Sequence, residues 1–303
     1  MNRETLRAIL KSQISYTYGI NFNQLIDAIF FIIYKDKYIS VKQKRDLGCD
    51  GIIESTKICL ACYAPETFNK RKFKEKVNED FEKYEKNYKP LGYKWRFMTN
   101  KELLGSMITY IKDKDVDNEI WGLNELINFI LNLRPSARRE VLLEAFQLSP
   151  ELIEYDIIEE IIEEIIEEIM KLEENNSVQV LPKYELVDDI FEKIEINFTG
   201  EDIEIVKRKF KFEHVGYLEK SLKNFGDKYT NGLKFKILRE YQILSDSLTF
   251  KEKLYELINK FSSKYPNDDD YKNKVELILL YLFEQCLIGE KSGQGGKYGT
   301  TRT

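Results

Sequence analysis

The sequence predicts an α+β protein in which an N-terminal α/β core is followed by a mostly helical C-terminal region. Short runs rich in β-branched and aromatic residues are confined to the first hundred residues, and segments with helical periodicity flank them. Beyond Pro135 nearly every apolar pattern has helical spacing. A length of 303 residues leaves room for two cores, because one core usually serves about 100 to 200 residues.

The N-terminal core is expected to begin with helices and a hairpin. Residues 5–34 repeat apolar side chains every three or four positions, and Gly19 interrupts the pattern. Three β-rich runs follow, over residues 38–41, 51–54 and 57–63. A two-residue turn joins the last two runs, which predicts a β-hairpin.

A second helix and strand complete this core. Residues 67–88 place aromatic side chains on one helical face and lysines on the other. Residues 95–99 alternate as a strand, and Asn100 is expected to cap the next helix. Residues 120–133 predict a further helix. The order helix, three strands, helix, strand indicates a compact α/β core of roughly 110 residues.

The C-terminal region contains an unusual acidic helix. Ser149-Pro150-Glu151 is a strong helix start, because it combines a capping side chain, a proline at the first helical position and a carboxylate near the positive helix end. The sequence Ile-Ile-Glu-Glu then repeats over residues 157–168, within a helix of about 24 residues. Two interpretations are open: the isoleucines are buried in the protein's own core, or they dock a partner protein.

These patterns predict four segments. The α/β core occupies residues 1–134, and a helical connector with the long acidic helix occupies residues 135–176. A helical C-terminal domain follows over residues 177–290, and residues 291–303 form a flexible tail rich in glycine and threonine.

Composition excludes several classes of function. His214 is the only histidine and no nucleophile motif flanks it, which argues against a serine or cysteine hydrolase. Cys59 and Cys62 would point to opposite faces of a strand, so a zinc or redox pair is not expected. No apolar run is long enough to span a membrane, and the first residues lack a secretion leader, so we expect a cytoplasmic protein without a membrane partner.

Charge is distributed unevenly along the chain. Residues 70–96 hold ten lysines and arginines against five acidic residues, whereas residues 151–174 hold eleven acidic residues and one lysine. The first segment could bind a polyanion and the second would repel one. The residues expected to contact nucleic acid are Lys70, Arg71, Lys72 and Lys74. The alternative is that Phe73, Phe81 and Tyr84 are core residues and the lysines only solvate the outer face.

The hairpin region contains two distinctive segments. Gly48-Cys49-Asp50-Gly51 precedes one strand, and Tyr63-Ala64-Pro65-Glu66 ends the next; together they resemble the metal site of the restriction-endonuclease-like superfamily. The resemblance implies a restriction-endonuclease-like fold and a Mg²⁺-dependent phosphodiesterase site, in which carboxylates hold the ion against the scissile phosphate. It implies that Asp50 binds the metal and acts in catalysis. Asp46, Glu54 or Glu66 could move into the role of a second carboxylate, with Glu54 as the candidate metal ligand and Glu66 as the candidate catalytic residue.

Three positions depart from that pattern. Ala61 stands where the second carboxylate is expected, Tyr63 where many members keep lysine, and Asn23 where a helix glutamate would lie. A lone carboxylate binds Mg²⁺ weakly, because the ion keeps its water unless negative charge accumulates around it. The sequence therefore favours a degenerate site, with an active Mg²⁺-dependent DNA endonuclease as the alternative.

Two C-terminal segments carry a further resemblance. They are Leu238-Arg239-Glu240-Tyr241 and Leu280-Tyr281-Leu282-Phe283-Glu284-Gln285-Cys286-Leu287-Ile288-Gly289. Both resemble the C-terminal domains of ABC-three-component (Lamassu-like) bacterial antiphage defence proteins. That resemblance implies two partners, an ABC or SMC-like ATPase and a small third subunit. The chain would be an adaptor in that complex or its nuclease effector, with DNA as a further partner.

Overall fold

The computed structural model describes residues 3–41, 47–173, 189–210 and 214–290. By internal contacts the chain divides at residues 153 and 154 into an N-terminal unit, from residue 3 to 153, and a helical unit that starts at residue 154. The predicted boundary between the connector and the C-terminal domain, at residues 176 and 177, and the predicted tail from residue 291 lie outside the described residues.

The N-terminal unit contains six complete helices and five strands in its described part. Its helices are α1 (Arg3–Ser15), α2 (Gly19–Tyr34), α3 (Lys70–Asn87), α4 (Gly105–Lys112), α5 (Leu123–Leu131) and α6 (Pro135–Glu144). Its strands are β1 (Tyr38–Ser40), β2 (Gly51–Ile53), β3 (Ile58–Cys62), β4 (Lys94–Met98) and β5 (Glu119–Trp121).

The five strands form one mixed sheet in the order β1-β2-β3-β4-β5. β1, β2 and β3 pair antiparallel, with Gly51 opposite Leu60, while β4 and β5 are added in parallel. The three predicted β-rich runs and the strand at residues 95–99 are confirmed within one or two residues. The α+β class is likewise confirmed.

Both faces of the sheet are covered. Side chains alternate between the faces of a strand, yet all five residues of β3 are buried. On one face Cys59 and Ala61 join a core cluster with Trp95 and Phe97 of β4, onto which α3 and α4 pack. Aromatic residues of α3 complete this cluster, namely Phe73, Phe81 and Tyr84. The interpretation of these three as core residues is confirmed.

Two predicted details are wrong. Asn100 does not cap α4, which begins five residues later behind Leu104; the Asn100 amide instead donates to the backbone carbonyls of Ser15 and Thr17. The helix predicted from residue 120 begins at Leu123, because the residues before it form β5. A strand of three half-buried residues is too short for a periodic pattern to reveal it.

The helical unit contains the long acidic helix and six further helices in its described part. These are α7 (Pro150–Glu173), which begins in the N-terminal unit, α8 (Ile190–Asn197), α9 (Glu201–Phe210), α10 (His214–Phe225), α11 (Asp227–Gln242), α12 (Phe250–Phe261) and α13 (Asp269–Glu284). The predicted start of α7 at Pro150 and its length of 24 residues are confirmed. A capping box formed by Thr249 and Glu252 begins α12.

The isoleucines of α7 are buried: Ile157, Ile158, Ile161, Ile162, Ile165 and Ile166. Its glutamates contact residues near the start of α13. Glu164 accepts a hydrogen bond of 2.5 Å from the Tyr271 hydroxyl, and Lys264 forms ion pairs with Glu160 and Glu164. Of the two interpretations, burial of the isoleucine stripe agrees with the structure.

In the part of the chain that the structure describes, no helix is both long enough and apolar enough to cross a membrane.

Candidate functional site

Asp50 lies at the end of the sheet where β3 finishes. Its backbone N–H donates to the carbonyl of Leu60 at 2.7 Å, and its carbonyl accepts from the N–H of Val41 at 3.0 Å. These bonds extend the pairing of β1, β2 and β3 by one residue. The sheet therefore fixes the backbone of Asp50, and with it the direction of the side chain.

Both carboxylate oxygens of Asp50 accept hydrogen bonds from the protein. Oδ1 accepts from the side-chain amide of Asn23 at 3.0 Å, and Oδ2 accepts from the backbone N–H of Cys62 at 2.7 Å. Asn23 belongs to α2 and Cys62 ends β3. The carboxylate thus links three elements, and Asn23 occupies the position where the resemblance expects a metal-binding glutamate.

The next turn of α2 is hydrogen-bonded to strand β1. Asp27 accepts from the hydroxyl of Tyr38 at 2.5 Å and from that of Ser40 at 2.7 Å. Its two oxygens are therefore already engaged with β1. Although Asp27 lies one helical turn from Asn23, these bonds hold it against the strand and do not present it as a second metal ligand.

A close backbone approach holds the loop that carries Asp50. Gly48 has a φ of +88°, and a Cβ there would lie 2.4 Å from the carbonyl oxygen of Asp80 and 2.6 Å from the Cβ of Lys83. Only glycine tolerates both that dihedral and that contact. The loop before β2 is thus pressed against α3, in the middle of the helix.

Asp50 faces a cavity of about 520 Å³. Its lining residues come from the start of α2, the end of β3 and the middle of α3: Gly19, Ile20, Asn23, Asp50, Cys62, Tyr63, Ala64, Pro65 and Lys76. A concave site with a few convergent polar groups is the usual form of a ligand or active site. The cavity contains one carboxylate and one ammonium group.

Lys76 is a member of this site that the sequence analysis missed. Its side chain is 31% exposed, and its ammonium lies 2.8 Å from Oδ1 of Asp80, whose side chain is only 2% exposed. A signal was present in the sequence, because Asp80 falls on the buried face of α3, at helical spacing from Val77 and Tyr84. A carboxylate on an apolar stripe requires a partner, and the lysine one turn earlier supplies it.

Of the other acidic candidates, Asp46 lies outside the described residues, and Glu54 and Glu66 do not line the cavity. Glu54 is exposed at the far end of β2, where it accepts from the Tyr93 hydroxyl at 3.3 Å. Glu66 is exposed, and its backbone carbonyl accepts from the ammonium of Lys101 at 3.0 Å. Neither lines the cavity, so the structure does not bring Glu54 or Glu66 together with Asp50.

The residues around Asp50 do not fit the Mg²⁺ ion that the resemblance implies. Mg²⁺ is held by accumulated oxygen ligands and negative charge. Here Ala61 is buried in the core cluster, and Lys76 places a positive charge in the cavity. Across the described residues, no group of three or more histidine, cysteine or acidic side chains could hold a metal ion.

The cysteines near the site are not nucleophiles. Cys49, Cys59 and Cys62 are buried and free of disulfides. Burial raises the pKa of Cys59 and that of Cys62 well above the ordinary value for a thiol. Because the thiolate is the reactive form, both groups remain inert thiols at neutral pH.

The basic residues of α3 are accessible. Lys70, Arg71, Lys72 and Lys74 are all exposed in its first turns, after an Asn69 cap whose side chain accepts from the N–H groups of Arg71 and Lys72. The Lys74 ammonium lies 4.7 Å from the ring centroid of Tyr110. Lys72 lies one helical turn before Lys76, on the side of α3 that faces the cavity. Binding of nucleic acid at these residues stays a prediction.

A comparison of the chain with protein-family models, curated proteins and solved structures gave no match.

Proposed function

We propose that this chain is a non-catalytic adaptor subunit of a multi-protein bacterial antiphage defence system, in which the N-terminal unit is a nuclease-like scaffold with a degenerate site. One observation carries the proposal: both oxygens of the Asp50 carboxylate accept hydrogen bonds from the fold. A carboxylate used in this way stabilises the junction of α2, β2 and β3. It has lost the companion carboxylate that metal-dependent phosphodiester cleavage requires.

The sheet supports the nuclease-like part of the proposal. In the superfamily that the sequence resembles, the metal-binding aspartate starts one hairpin strand and the second ligand lies in the next. Here Asp50 directly precedes β2, and Ala61 lies in the adjacent β3 at the corresponding place. On this proposal Asp50 keeps the position of the metal-binding aspartate, and the buried methyl group of Ala61 stands where the second metal ligand is expected.

The partners proposed are an ABC or SMC-like ATPase and a small third subunit, on the strength of the sequence resemblance. The C-terminal segment that carries this resemblance is largely core, because Leu280, Leu282 and Phe283 are buried in α13. The isoleucines of α7 are buried as well. A partner would therefore bind polar surfaces of the helical unit, and neither of these apolar stripes is expected to contact it.

A Mg²⁺-dependent DNA endonuclease is the second candidate function. It is favoured by the presence of Asp50 and Lys76 in one cavity, with an exposed basic helix start beside it. A lysine can orient an attacking water, and basic side chains can follow the phosphates of DNA. The missing second carboxylate is what ranks this candidate below the adaptor.

Two assays on co-expressed protein distinguish the candidates. The chain is produced with the products of its neighbouring genes, and the complex is purified through a tag on this chain and incubated with plasmid DNA and Mg²⁺ or Mn²⁺. Asp50→Asn is compared with Asp36→Asn, a matched change at an exposed aspartate of the same unit. The adaptor predicts co-purification of an ATPase and equal, background cleavage by all forms.

Cleavage that Asp50→Asn abolishes and Asp36→Asn retains would establish the endonuclease instead. If no ATPase encoded by a neighbouring gene co-purified with the chain, the adaptor proposal would be rejected.

A further inference from the structure

We infer that the cavity beside Asp50 holds one unpaired base of a single-stranded nucleic acid, while the exposed basic side chains at the start of α3 bind phosphates of the same strand. The inference rests on the proposed function and deepens it, because a nuclease-like scaffold without a metal site can still recognise nucleic acid. It gives the N-terminal unit the role of recognising single strands.

The size and the walls of the cavity fit one base. Its volume of about 520 Å³ lies within the range of small-molecule sites. Ile20, Ala64 and Pro65 make part of the wall apolar, and Tyr63 adds an aromatic ring. A base in a duplex is paired and stacked, whereas an unpaired base can leave the stack and present its flat faces to such walls. The cavity therefore favours a single strand over a duplex.

The ring of Tyr63 is fixed by the sheet and the core. Its backbone N–H donates to the carbonyl of Met98 at 2.9 Å, which extends the pairing of β3 and β4 by one residue. The ring centroid lies 6.2 Å from that of Phe73 and 6.4 Å from that of Phe97, and both phenylalanines are buried in the core cluster. A ring held in this way loses little conformational freedom when a base stacks on it.

Two polar side chains of the cavity have unused hydrogen-bonding capacity. The amide nitrogen of Asn23 donates to Asp50, so its amide oxygen remains an acceptor, and that oxygen has no hydrogen-bond partner among the described residues. The hydroxyl of Tyr63 likewise makes no hydrogen bond within the described part of the chain. Both side chains are half-buried. The polar edge of a base can supply a partner for each of them.

Lys101 places a positive charge at the rim of the cavity. Its ammonium lies 3.0 Å from the carbonyl oxygen of Glu66 and 5.3 Å from the ring centroid of Tyr18. Pro65 precedes Glu66, Gly19 follows Tyr18, and both of these neighbours line the cavity. The ammonium is therefore close to two segments of the wall, where the phosphate of a bound nucleotide can reach it.

The start of α3 provides the second basic surface. Its exposed basic residues are Lys70, Arg71, Lys72 and Lys74. Arg71 pairs with Glu75 at 3.6 Å, and the three lysines form no ion pair with a described residue. Lys70 is six residues before Lys76, which lines the cavity, and this separation is about 9 Å along the helix axis. These lysines can therefore bind neighbouring phosphates of a strand whose base occupies the cavity.

The test compares single strands with a duplex. Fluorescein-labelled DNA and RNA strands of about twelve nucleotides, and the DNA duplex of the same sequence, are titrated with the full chain, and binding is measured by fluorescence anisotropy. EDTA is present, so that metal-dependent cleavage cannot alter the strands. We expect one or both single strands to bind at least about tenfold more tightly than the duplex. Equal or tighter binding of the duplex, or no binding of either strand, overturns the inference.

A substitution in the wall tests whether a base occupies the cavity. Tyr63→Leu removes the aromatic face and keeps an apolar side chain, so it should weaken single-strand binding at least about fivefold. Tyr255→Leu, at an exposed tyrosine of the helical unit, should leave the binding unchanged. An unchanged affinity in a folded Tyr63→Leu variant overturns the inference.

A substitution in α3 tests the phosphate contacts. Lys72→Gln should weaken single-strand binding and lower the slope of its salt dependence by about 0.7. Lys86→Gln, at an exposed position near the other end of the same helix, should change neither. The same effect from both substitutions would mean that α3 attracts the strand only by its total charge, which contradicts the inference.

A photochemical measurement on the wild-type chain does not depend on the folding of any variant. A strand with 5-iodocytosine in place of cytosine is bound to the chain and irradiated, and the residues attached to it are identified by mass spectrometry. Attachment at Tyr63 supports the inference, and attachment at other residues alone overturns it.

The inference and the proposed function fail in different measurements. Absence of strand binding overturns the inference and leaves co-purification with an ATPase, and hence the adaptor, unaffected. Cleavage in Mg²⁺ that Asp50→Asn abolishes rejects the non-catalytic adaptor, while the preference for single strands measured in EDTA stands.

Discussion

In each unit of the molecule, protein oxygen atoms hold the ammonium group of one lysine, and the two lysines have different partners. In the helical unit Lys193 of α8 is 0% exposed, and its ammonium donates to the backbone carbonyls of Phe283 and, at 3.0 Å, Ile288. In the N-terminal unit Lys76 pairs with the carboxylate of Asp80 at the wall of a cavity. The chemical group is the same in both places, and the surroundings differ.

The difference between their surroundings shows which of the two lysines indicates a functional site. The last carbonyls of a helix have no partner within the helix and carry partial negative charge, so Lys193 satisfies the end of α13 and serves the fold. Lys76 instead lines a concave surface together with a second charged group. Burial alone therefore says little about function, while a cavity beside the charge makes the residue a functional candidate.

The largest expected effect is in the helical unit. Ile161→Lys places a charge at a fully buried position of α7 and should destabilise the unit by at least about 4 kcal/mol, measured by urea unfolding. Ile205→Lys, the same substitution at an exposed position of α9 in the same unit, should change the stability little. If Ile161→Lys stayed folded and only released a partner, the isoleucine stripe would be a docking surface after all.

The second effect tests the role of Lys193. Lys193→Met keeps most of the packing volume but removes the ammonium that donates to the carbonyls of Phe283 and Ile288. The Phe283 carbonyl still accepts from the N–H of Cys286, so the change should cost about 1 to 3 kcal/mol, mainly at Ile288. The measurement is chemical unfolding of the intact chain, followed by far-ultraviolet circular dichroism. A loss below about 0.5 kcal/mol would mean that the ammonium contributes nothing to the end of α13.

The third effect tests Asp50 as a structural acceptor. Asp50→Ala removes the bonds to Asn23 and Cys62 and should lower the stability of the N-terminal unit by about 2 kcal/mol. Asp50→Asn keeps one acceptor oxygen and should cost about half as much. Thermal unfolding without added metal measures both. Equal stability of all three proteins would contradict a structural role and favour Asp50 as a metal ligand.

The smallest effect concerns the pH dependence of the helical unit. Burial raises the pKa of Glu159 in α7 from 4.5 to about 7. Between these two values the folded protein retains a proton that the unfolded chain has released, so the stability should fall as the pH rises through this window. Glu159→Gln cannot titrate and should flatten that part of the stability curve. A wild-type curve of the same slope as the variant would refute the raised pKa.

Only part of the fold and of the site can be predicted from the sequence alone. Local patterns predicted the first three strands and the start of α7, because each depends on residues close together in the chain. The Asp50 cavity was predictable only in part. The hydrogen bond between Asp50 and Asn23, and the cavity that Asp50 lines together with Lys76, depend on three elements that meet at one end of the sheet.

Other features required tertiary information altogether. Asn100 looked like a helix cap, but its amide is used by carbonyls more than eighty residues away in sequence. Nothing near Lys193 in the sequence indicates its partners, which lie ninety or more residues later. No periodicity within a helix can specify a partner at that separation.

The most direct test of the central claim is a calorimetric titration of the purified wild-type chain with Mg²⁺, alongside Asp50→Asn. If the Asp50 carboxylate serves the fold, both proteins should give only the heat of dilution. One saturable site in the wild type that disappears in Asp50→Asn would contradict the account and make Asp50 a metal ligand.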